Sequence, residues 1–342
     1  MAQSPRIRPP GLDQKRAFLQ SGAPWPDAPP PQCIETHASL VFLTATRVFK
    51  LKKPVCLPHA DMRSLAARAR LCAEELRLNR ALAGGVYRGL IALVQTPEGR
   101  LALGGPGRIV DWLVEMDRLP AAAMLDHRLR DGPPPSARDI ADFAGVMAGF
   151  YRRQIAPPRA GQTYFARLLR EMSTDLAHLR AMRAHLGAAL CETMLADAQQ
   201  GLDRLRPAIL ARAAAGLVIE GHGDLRAEHV CLTRPPLAFD RVEFDHDFRL
   251  IDPQDEMLGL GLDCALLGAP WIGPALSRHL DGAGFPAPSP ELARVYTMAR
   301  CLTQARLAID HLRDPHPRTP LKWAPRAQAF LRMAKSHGAA RP

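Results

Sequence analysis

The sequence predicts an α+β protein of two lobes, a small lobe rich in antiparallel β-strands followed by a larger helical lobe. Three observations support this prediction. Short apolar runs with many β-branched and aromatic residues, separated by turn residues, fill the first third of the chain. A break follows at Pro133-Pro134-Pro135, and beyond it apolar residues recur at helical spacing over long stretches. With 342 residues, the chain is long enough for two such lobes.

The predicted organisation has three segments. Residues 1–32 form a short helix and a proline-rich connector, residues 33–115 form the small N-terminal lobe, and residues 116–342 form the helical lobe with a basic tail. The change of character near Leu113–Pro120 predicts a hinge between the lobes. Hydrophobic residues make up 47% of the chain and charged residues 23%, which is typical of a packed globular protein.

The strands of the small lobe are predicted from alternation of side chains. Within Arg47–Lys52, Phe49 and Leu51 face one side of the strand, while Lys50 and Lys52 face the other. Elsewhere the apolar and turn patterns predict a helix at Gln14–Gln20, strands at Ser39–Thr44, Ile91–Gln95, Leu101–Leu103 and Ile109–Val114, and a helix at Ser64–Leu82.

The helical lobe begins at a capping signal. Ser136 and Asp139 resemble a capping box that opens a helix reaching about Gln154. The patterns further predict helices at Tyr164–Leu186 and Leu190–Ala215, a strand at Leu217–Glu220, a strand pair at Val230–Leu232 and Leu237–Asp240, helices over most of 255–312, a proline-rich stretch at Pro315–Pro325 and a basic helix at Ala327–Ser336.

Charge and cysteine content narrow the range of partners. The net charge of +11 would permit an anionic ligand or nucleic acid, but the basic residues are scattered and match no nucleic-acid-binding motif. A small-molecule substrate is therefore expected, and nucleic acid is not. The seven widely spaced cysteines contain no C-x-x-C pair, so we expect reduced thiols in a cytoplasmic protein.

No targeting or membrane segment is expected. Residues 1–10 are basic and contain proline, with no apolar stretch after them, which does not fit a signal peptide. No run of 18 apolar residues occurs, so no membrane-spanning helix is expected. Nothing in the sequence indicates an oligomeric state.

The stretch with the clearest chemistry is the loop from His222 to His229. It presents Asp224, Arg226 and His229 within six residues, and Asp240 follows eleven residues later at the end of an apolar strand. Two carboxylates with a cation between them suit phosphoryl transfer, because one can accept the proton of the acceptor hydroxyl while the other holds Mg²⁺.

This loop, His-Gly-Asp-Leu-Arg-Ala-Glu-His, resembles the H-G-D-L-x-x-x-N loop of aminoglycoside and choline kinases, and it is similar to the H-R-D-L-K-P-E-N loop of protein kinases. Over about residues 33–310 the chain resembles an uncharacterised bacterial branch of the aminoglycoside phosphotransferase-like enzymes. The other segments that carry the resemblance are Ile34–Ser39, Val48–Val55, Glu74–Arg80, Glu115–Pro120 and Glu243–Arg249. The resemblance implies a protein-kinase-like fold with ATP bound in the cleft of that fold.

The resemblance also implies roles for individual residues. Asp224 would be the catalytic base or would orient the acceptor hydroxyl, and Arg226 would reach the γ-phosphate. Asp240 would be the metal-binding aspartate. Lys50 would contact the α- and β-phosphates, and Glu75 would pair with it.

The resemblance also implies a choice among lysines for phosphate binding and roles for Glu115 and Asp252. Lys50, Lys52 and Lys53 compete for the role of the phosphate-binding lysine. Lys50 and Lys52 share a strand face, so alternation alone does not choose between them, and the distance to Glu75 and the match to the family favour Lys50. Glu115, in the segment that runs to Leu119, would follow the adenine-binding hinge. Asp252 would brace the catalytic loop.

The sequence departs from the family pattern at two places. His229 stands where the family has a metal-binding asparagine, and a histidine is a softer ligand than Mg²⁺ prefers. No G-x-G-x-x-G occurs near residue 37, so Glu35–Ser39 would have to cover the phosphates.

The sequence therefore favours an ATP-dependent phosphotransferase acting on a hydroxyl of a small molecule, with Mg²⁺, or Mn²⁺ as an alternative metal. A catalytically impaired pseudokinase that binds nucleotide is the second hypothesis, motivated by His229. A metal-dependent hydrolase is the third, since the chain also offers a set of metal-ligating side chains for Zn²⁺ or Mn²⁺, namely His222, Asp224, His229 and Asp240.

Overall fold

The computed structural model describes residues 8–25, 29–314, 317 and 319–338. Parts of the predicted proline-rich stretches, residues 26–28, 315, 316 and 318, lie outside the described residues, as do residues 1–7 and the end of the basic tail, 339–342. The chain forms two compact units. The first contains residues 1–120 together with 238–245, and the second contains residues 121–237 and 246–342.

The first unit is built on an antiparallel sheet of six strands in the order β1-β2-β3-β8-β6-β7. The elements of this unit are α1 (Leu12–Gln20), β1 (Gln32–Glu35), β2 (Ser39–Leu43), β3 (Arg47–Lys52), β4 (Cys56–Leu57), β5 (Ala60–Asp61), α2 (Leu65–Ala83), β6 (Tyr87–Gln95), β7 (Leu101–Leu103) and β8 (Arg108–Asp117).

The core of the first unit confirms the predicted alternation in β3. Phe49 pairs with Phe42 of β2, and Leu51 pairs with Leu40, and all four side chains are buried. Because side chains on a strand alternate, the lysines of β3 lie on the opposite face of the sheet from this cluster. That face is the one on which the charged site described below is assembled.

The second unit is mainly helical, so the predicted α+β architecture is confirmed. The elements from residue 121 onward are α3 (Leu125–Arg130), α4 (Ala137–Arg152), α5 (Ala160–Ala181), α6 (Arg183–Leu186), α7 (Glu192–Arg204), α8 (Arg206–Ala214), β9 (Ile219–Glu220), β10 (Val230–Cys231), β11 (Leu237–Ala238, which ends in the first unit), α9 (His246–Arg249), β12 (Leu250–Ile251), α10 (Pro253–Leu266), α11 (Ile272–Gly282), α12 (Pro290–Asp310) and α13 (Pro320–Gly338).

Local signals account for several helix ends. The capping box at α4 is confirmed: the Ser136 hydroxyl accepts a hydrogen bond from the Asp139 N–H at 3.1 Å, and the Asp139 carboxylate accepts one from the Ser136 N–H at 2.9 Å. The single helix predicted at Leu190–Ala215 is wrong. It is split at Leu205, because Pro207 cannot donate a backbone hydrogen bond and is tolerated only in the first turn of a new helix.

The proline-rich stretch near residue 320 is also more helical than predicted. Helix α13 begins at Pro320 and contains Pro325. The loss of one hydrogen bond there is offset by burial of the apolar face that carries Phe330 and Leu331, both of which are fully buried in the core.

A membrane span was sought among the helices of the described residues. None of these helices combines the length and the apolar content that crossing a bilayer requires.

Candidate active site

The first unit assembles a charged site around the two lysines of β3. Strand β3 pairs with β2 on one side and β8 on the other, which fixes the backbone of Lys50 opposite Val41 and Val114. Alternation then places Lys50 and Lys52 on the same face. Only 1% of Lys52 is exposed, so its ammonium group requires nearby carboxylates.

Glu75 of helix α2 supplies one of those carboxylates to both lysines. Its Oε1 lies 2.9 Å from Nζ of Lys50, and its Oε2 lies 2.6 Å from Nζ of Lys52. The Glu75 side chain is fully buried. The carboxylate therefore bridges the two lysines, and the pairing of Lys50 with Glu75 expected from the family resemblance is present in the geometry.

The segment 238–245 brings two further carboxylates to the same lysines. Oδ1 of Asp240 lies 2.6 Å from Nζ of Lys50, and Oε1 of Glu243 lies 2.5 Å from Nζ of Lys52. Each lysine is thus held between Glu75 and one residue of this segment. Glu243 begins one of the segments that carry the family resemblance but was given no role in the site, because its spacing of three residues from Asp240 carried no signal that both would reach β3.

Backbone contacts hold Asp240 in an unusual conformation. Its φ is +64°, in the left-handed region that few residues other than glycine adopt. Its N–H donates a hydrogen bond to the Tyr87 hydroxyl at 3.2 Å, and the N–H of the following residue, Arg241, donates to Oδ1 of Asn79 at 2.9 Å. A residue held in a sparsely populated conformation by its surroundings is a recurring feature of functional sites.

The balance of charges keeps the site ionised. Burial alone would lower the pKa of Lys50, but the carboxylates of Asp240 and Glu75 outweigh it and hold that pKa well above its usual value. Burial would raise the pKa of Glu75, and the two lysines outweigh this and lower it. Burial likewise opposes the charge of Lys52, while Glu243 and Glu75 raise its pKa. Both ammonium groups are therefore charged at neutral pH.

The two lysines differ in access to solvent. The side chain of Lys50 is 14% exposed and that of its partner Asp240 is 36% exposed, whereas Lys52 and its partner Glu75 are buried and its other partner, Glu243, is 11% exposed. A ligand can therefore reach Lys50 and Asp240 more readily than Lys52. Of the two lysines, Lys50 is therefore the more accessible and Lys52 the more enclosed.

Glu115 lies outside this charged site. It belongs to β8, where it pairs with Phe49 in the sheet register, and its carboxylate lies 3.8 Å from the guanidinium of Arg47. The structure therefore brings Lys50, Lys52, Glu75 and Asp240 together, and it places Glu115 in a separate ion pair.

The second unit carries the predicted catalytic loop. The loop follows the short strand β9, which pairs with β12, and it turns at Gly223, whose φ is +92°. The Asp224 side chain is 37% exposed, and its Oδ2 lies 3.1 Å from Nη2 of Arg226. The other terminal nitrogen of Arg226 lies 2.8 Å from the Glu228 carboxylate. Asp224 therefore presents a carboxylate that is oriented by a neighbouring cation and accessible to a ligand.

A buried carboxylate on α10 holds the backbone of this loop. Glu256 accepts hydrogen bonds from the N–H groups of His222 at 3.0 Å and Gly223 at 2.7 Å, and from the Tyr151 hydroxyl at 2.7 Å. At Gly221, a side-chain carbon would lie only 2.8 Å from the Glu256 carboxylate, so any larger residue would force one of the two to shift. Glu256 therefore sets the position of the turn that carries Asp224.

Asp263, about two turns further along α10, holds the other end of the loop. Its carboxylate accepts a hydrogen bond from the Ala227 N–H at 2.9 Å and lies 3.0 Å from Arg326. The sequence analysis did not single out Glu256 or Asp263. The signal that could have found them is their spacing of seven residues within a predicted helix, which places both carboxylates on one helical face.

Asp252, which the family resemblance implied as the brace of the loop, makes other contacts. It is fully buried, binds the guanidinium of Arg212 at 2.5 and 3.1 Å, and caps α10 by accepting the Gln254 N–H at 3.0 Å. Burial raises the pKa of Asp252, and Arg212 opposes this rise. Its bonds thus join α8 to the start of α10, and the contacts to the loop backbone come from Glu256 and Asp263.

His229 is part of the loop's internal hydrogen bonding. It is 6% exposed, its Nδ1 lies 2.7 Å from the carbonyl oxygen of Asp224, and its ring stacks on that of His222 with centroids 5.8 Å apart. A metal would have to bind the other ring nitrogen, Nε2. The residues that the structure describes contain no group of three or more side chains suited to hold a metal ion by themselves.

Comparison with known proteins was made for the sequence and for the fold. No family profile matches the chain. Uncharacterised proteins of Mycobacterium bovis and Mycobacterium tuberculosis are 29% identical to it over 280 residues, which cover 80% of this chain and 53% of theirs. The chain thus spans about half the length of the curated relatives it matches.

Solved structures resemble the whole chain at low sequence identity. Spectinomycin phosphotransferase APH(9)-Ia, in complex with ADP and spectinomycin, has a TM-score of 0.53 at 11% identity, with 96% of this chain and 99% of that chain covered. The GDP and kanamycin complex of APH(2")-IIia has a TM-score of 0.52 at 14% identity, covering 94% and 98%. A choline/ethanolamine kinase family protein from Mesorhizobium loti has a TM-score of 0.51 at 14% identity, covering 96% and 95%.

At these identities the likeness concerns the fold. The protein-kinase-like fold expected from the sequence is confirmed, and the chain has the fold of aminoglycoside phosphotransferases and choline/ethanolamine kinase-like proteins.

Proposed function

We propose that this chain is an ATP-dependent phosphotransferase that transfers the γ-phosphate of ATP to a hydroxyl group of a small molecule. The observation that carries the proposal is the Lys50–Glu75–Asp240 arrangement of the first unit, in a chain whose second unit presents Asp224 on a braced loop. Phosphotransferases that share the fold and bind nucleotides support it. Fold alone does not determine function, so the argument depends on the site.

The first unit is proposed to bind the phosphates. Glu75 fixes the ammonium group of Lys50 on the strand, which leaves a charged donor at a partly exposed position for the α- and β-phosphates. Lys52 and Glu243 are proposed to hold Glu75 in the position in which it pairs with Lys50. As the family resemblance implies, the segment Glu115–Leu119 is proposed to follow the adenine-binding hinge.

The carboxylate of Asp240 fits a Mg²⁺ ion that arrives with the nucleotide. Mg²⁺ is commonly held by one or two carboxylates together with phosphate oxygens and water, so a dedicated cage of protein ligands is not needed. When bound, Mg²⁺ or Mn²⁺ neutralises charge on the β- and γ-phosphates. His229 is proposed chiefly to position the carbonyl of Asp224, and its predicted role as a metal ligand stays a prediction.

Asp224 is proposed as the group that acts on the acceptor. Its exposed carboxylate would accept a hydrogen bond from the acceptor hydroxyl, orient the hydroxyl oxygen towards the γ-phosphorus and receive its proton. Arg226 would place positive charge near the transferred phosphoryl group. The proposed setting is the cytoplasm, which is supported by the free thiols of all seven cysteines.

The test is release of ADP from ATP in the presence of a panel of hydroxylated small molecules, with GTP as a second donor. Asp224→Asn and Asp240→Asn are each expected to lower kcat by a factor of about 10² to 10⁴. Asp142→Asn is the matched control, because Asp142 is an exposed carboxylate of α4 whose ion pair is to Arg138 on the same helix. Unchanged activity in Asp224→Asn would refute the assignment of the base.

One observation favours a second candidate, a nucleotide-binding pseudokinase. The residue at the position of the family's metal-binding asparagine, His229, is buried and engaged with the loop backbone. This candidate predicts that ATP raises the melting temperature to the same extent with and without Mg²⁺, and that no acceptor is phosphorylated. A ligand at 100 times its dissociation constant stabilises by about 2.7 kcal/mol, which is easily measured.

A further inference from the structure

The second unit contains a cavity whose wall includes the catalytic loop. Its volume is about 240 Å³, and α3, the loop and α13 all contribute to it. Arg226 and Glu228 belong to the wall, and the same Arg226 lies 3.1 Å from the Asp224 carboxylate. Arg226 therefore links the wall of the cavity to the proposed base. An acceptor has to be held close to that base, so the cavity is a candidate for the acceptor site.

The acidic groups in the wall of this cavity are already engaged with arginines. Asp126 pairs with Arg130 at 2.7 Å, and Asp263 pairs with Arg326 at 3.0 Å. Glu228 pairs with Arg226 at 2.8 Å. A ligand with an ammonium group would have to compete with a guanidinium for each of these carboxylates.

The basic groups in the wall have more N–H donors than these ion pairs use. Arg130 and Arg326 each use one terminal nitrogen in these ion pairs, and a guanidinium carries five N–H donors. Lys322 adds a further cation. Its Nζ lies 4.9 Å from the centre of the Trp323 ring, and within the described part of the chain no carboxylate lies within 4 Å of it. The excess of donors favours a ligand with negative charge.

The wall also contains two stacked rings. The rings of Trp323 and His311 stack with their centroids 3.7 Å apart and their planes at 12°. Both rings line the cavity, so ring carbons lie beside the cationic donors. The cavity thus combines cationic donors, aromatic side chains and access to Arg226.

We propose that this cavity binds the acceptor and that the acceptor is a small hydroxyl-bearing anion, with its phosphate or carboxylate group held by Lys322, Arg326 and Arg130. The inference rests on the phosphotransferase proposed above. The anionic group would bind at α13. The hydroxyl of the same molecule would lie near Arg226, whose guanidinium contacts the Asp224 carboxylate.

The experiment measures binding to the full chain by calorimetry, with and without a non-hydrolysable ATP analogue, so that it does not depend on turnover. The probes are glycerol 3-phosphate and ribose 5-phosphate as hydroxylated phosphates, glycerate and gluconate as hydroxylated carboxylates, glycerol and ribose as neutral molecules, and kanamycin as a polycation. We expect at least one of the two anionic classes to bind at least about tenfold more tightly than the neutral and cationic probes.

The variant Lys322→Ala tests the site itself. It is expected to weaken binding of the preferred anion about tenfold or more and to leave ATP affinity unchanged. Lys335→Ala is the matched control, since Lys335 is an exposed lysine on the same helix outside the cavity. It is expected to bind the anion as the unmodified protein does.

Three outcomes would overturn the inference. They are equal or tighter binding of the neutral or cationic probes, no effect of Lys322→Ala, and no binding of any anionic probe up to about 10 mM. Failure of the phosphotransferase proposal looks different, because it appears as the absence of ATP binding or of phosphate transfer whatever the affinity for anions. If the protein binds anions at this cavity but transfers no phosphate, the anion site is supported and the phosphotransferase proposal is refuted.

Discussion

The ammonium nitrogen of Lys50 lies 2.6 Å from Oδ1 of Asp240, a residue 190 positions later in the chain. The same nitrogen lies 2.9 Å from Glu75. The lysine proposed for phosphate binding is thus in contact with the carboxylate proposed for the metal. In the absence of a ligand, Lys50 supplies the positive charge that the Asp240 carboxylate needs, and a divalent cation would have to compete with it.

This competition predicts opposite effects of Lys50→Met on two ligands. ATP affinity is expected to fall by about 10- to 100-fold, because a charge-assisted bond to phosphate is worth about 1.5–3 kcal/mol. Mn²⁺ binding without nucleotide is expected to become tighter, because Asp240 loses its resident cation. Calorimetric titrations with each ligand measure both effects. The control is Lys335→Met, which removes an exposed lysine of α13, and a parallel change in both variants would contradict the prediction.

Glu75→Gln is expected to lower the free energy of unfolding by about 3–5 kcal/mol at pH 7, because it leaves two lysines short of a buried carboxylate. The pKa of Glu75 is lower in the folded protein than its usual value of 4.5, so the unfolded state binds more protons in that range. The contribution of Glu75 is therefore complete above about pH 4.5 and is lost as the pH falls through the lower folded pKa.

Urea unfolding at pH 7 and in the acid range measures this difference. The gap between the unmodified protein and Glu75→Gln should narrow on acidification, and a constant gap would show that folding does not lower the pKa of Glu75. Glu74→Gln is the matched control, since Glu74 lies next to Glu75 on α2 and pairs with the exposed Arg77. It is expected to change stability by no more than about 1 kcal/mol.

Glu256→Gln tests whether the brace of the loop affects catalysis. The amide keeps one acceptor oxygen but presents N–H donors where the carboxylate accepted from the loop backbone, so the turn carrying Asp224 should shift. We expect kcat to fall about tenfold or more with little change in KM for ATP. Tyr151→Phe removes one donor to the same carboxylate and leaves both backbone bonds, so its kcat should fall less. A lower melting temperature with unchanged kcat would assign Glu256 a purely structural role.

Gly221→Ala is expected to destabilise the protein by about 1–3 kcal/mol. Its added carbon would lie 2.4 Å from Cγ2 of Ile251, closer than packed atoms allow. Gly145→Ala is the control in the opposite direction, because that glycine lies within α4 with nothing within 4 Å of an added carbon. Alanine there should stabilise by up to about 1 kcal/mol, owing to its helix propensity. Thermal unfolding of both variants would show whether the sign differs as expected.

Features that are set by neighbouring residues in the chain could be predicted from the sequence, and contacts between distant residues could not. The β3 alternation and the α4 cap are set by neighbours in the chain, and both are confirmed. The loop around Asp224 is a contiguous motif. In contrast, Glu243 and Glu256 act through partners more than 30 residues away, and a single sequence carries no record of those distances.

The choice between Lys50 and Lys52 shows the same limit. Alternation placed both on one face, and the structure pairs both with Glu75. They differ in burial and in their second carboxylate, which is Asp240 for Lys50 and Glu243 for Lys52. Contacts with so distant a segment cannot be read from the periodicity of a strand.

The return of residues 238–245 to the first unit has a consequence for any attempt to divide the chain. A fragment that ends at residue 120 would keep Lys50 and Lys52 but lack the carboxylates of Asp240 and Glu243, so two ammonium groups would share Glu75 alone. The complementary fragment would carry those acids without their counterions. Separate expression of the halves should therefore give unstable products, whereas mixing or co-expressing them offers a route to reconstitution.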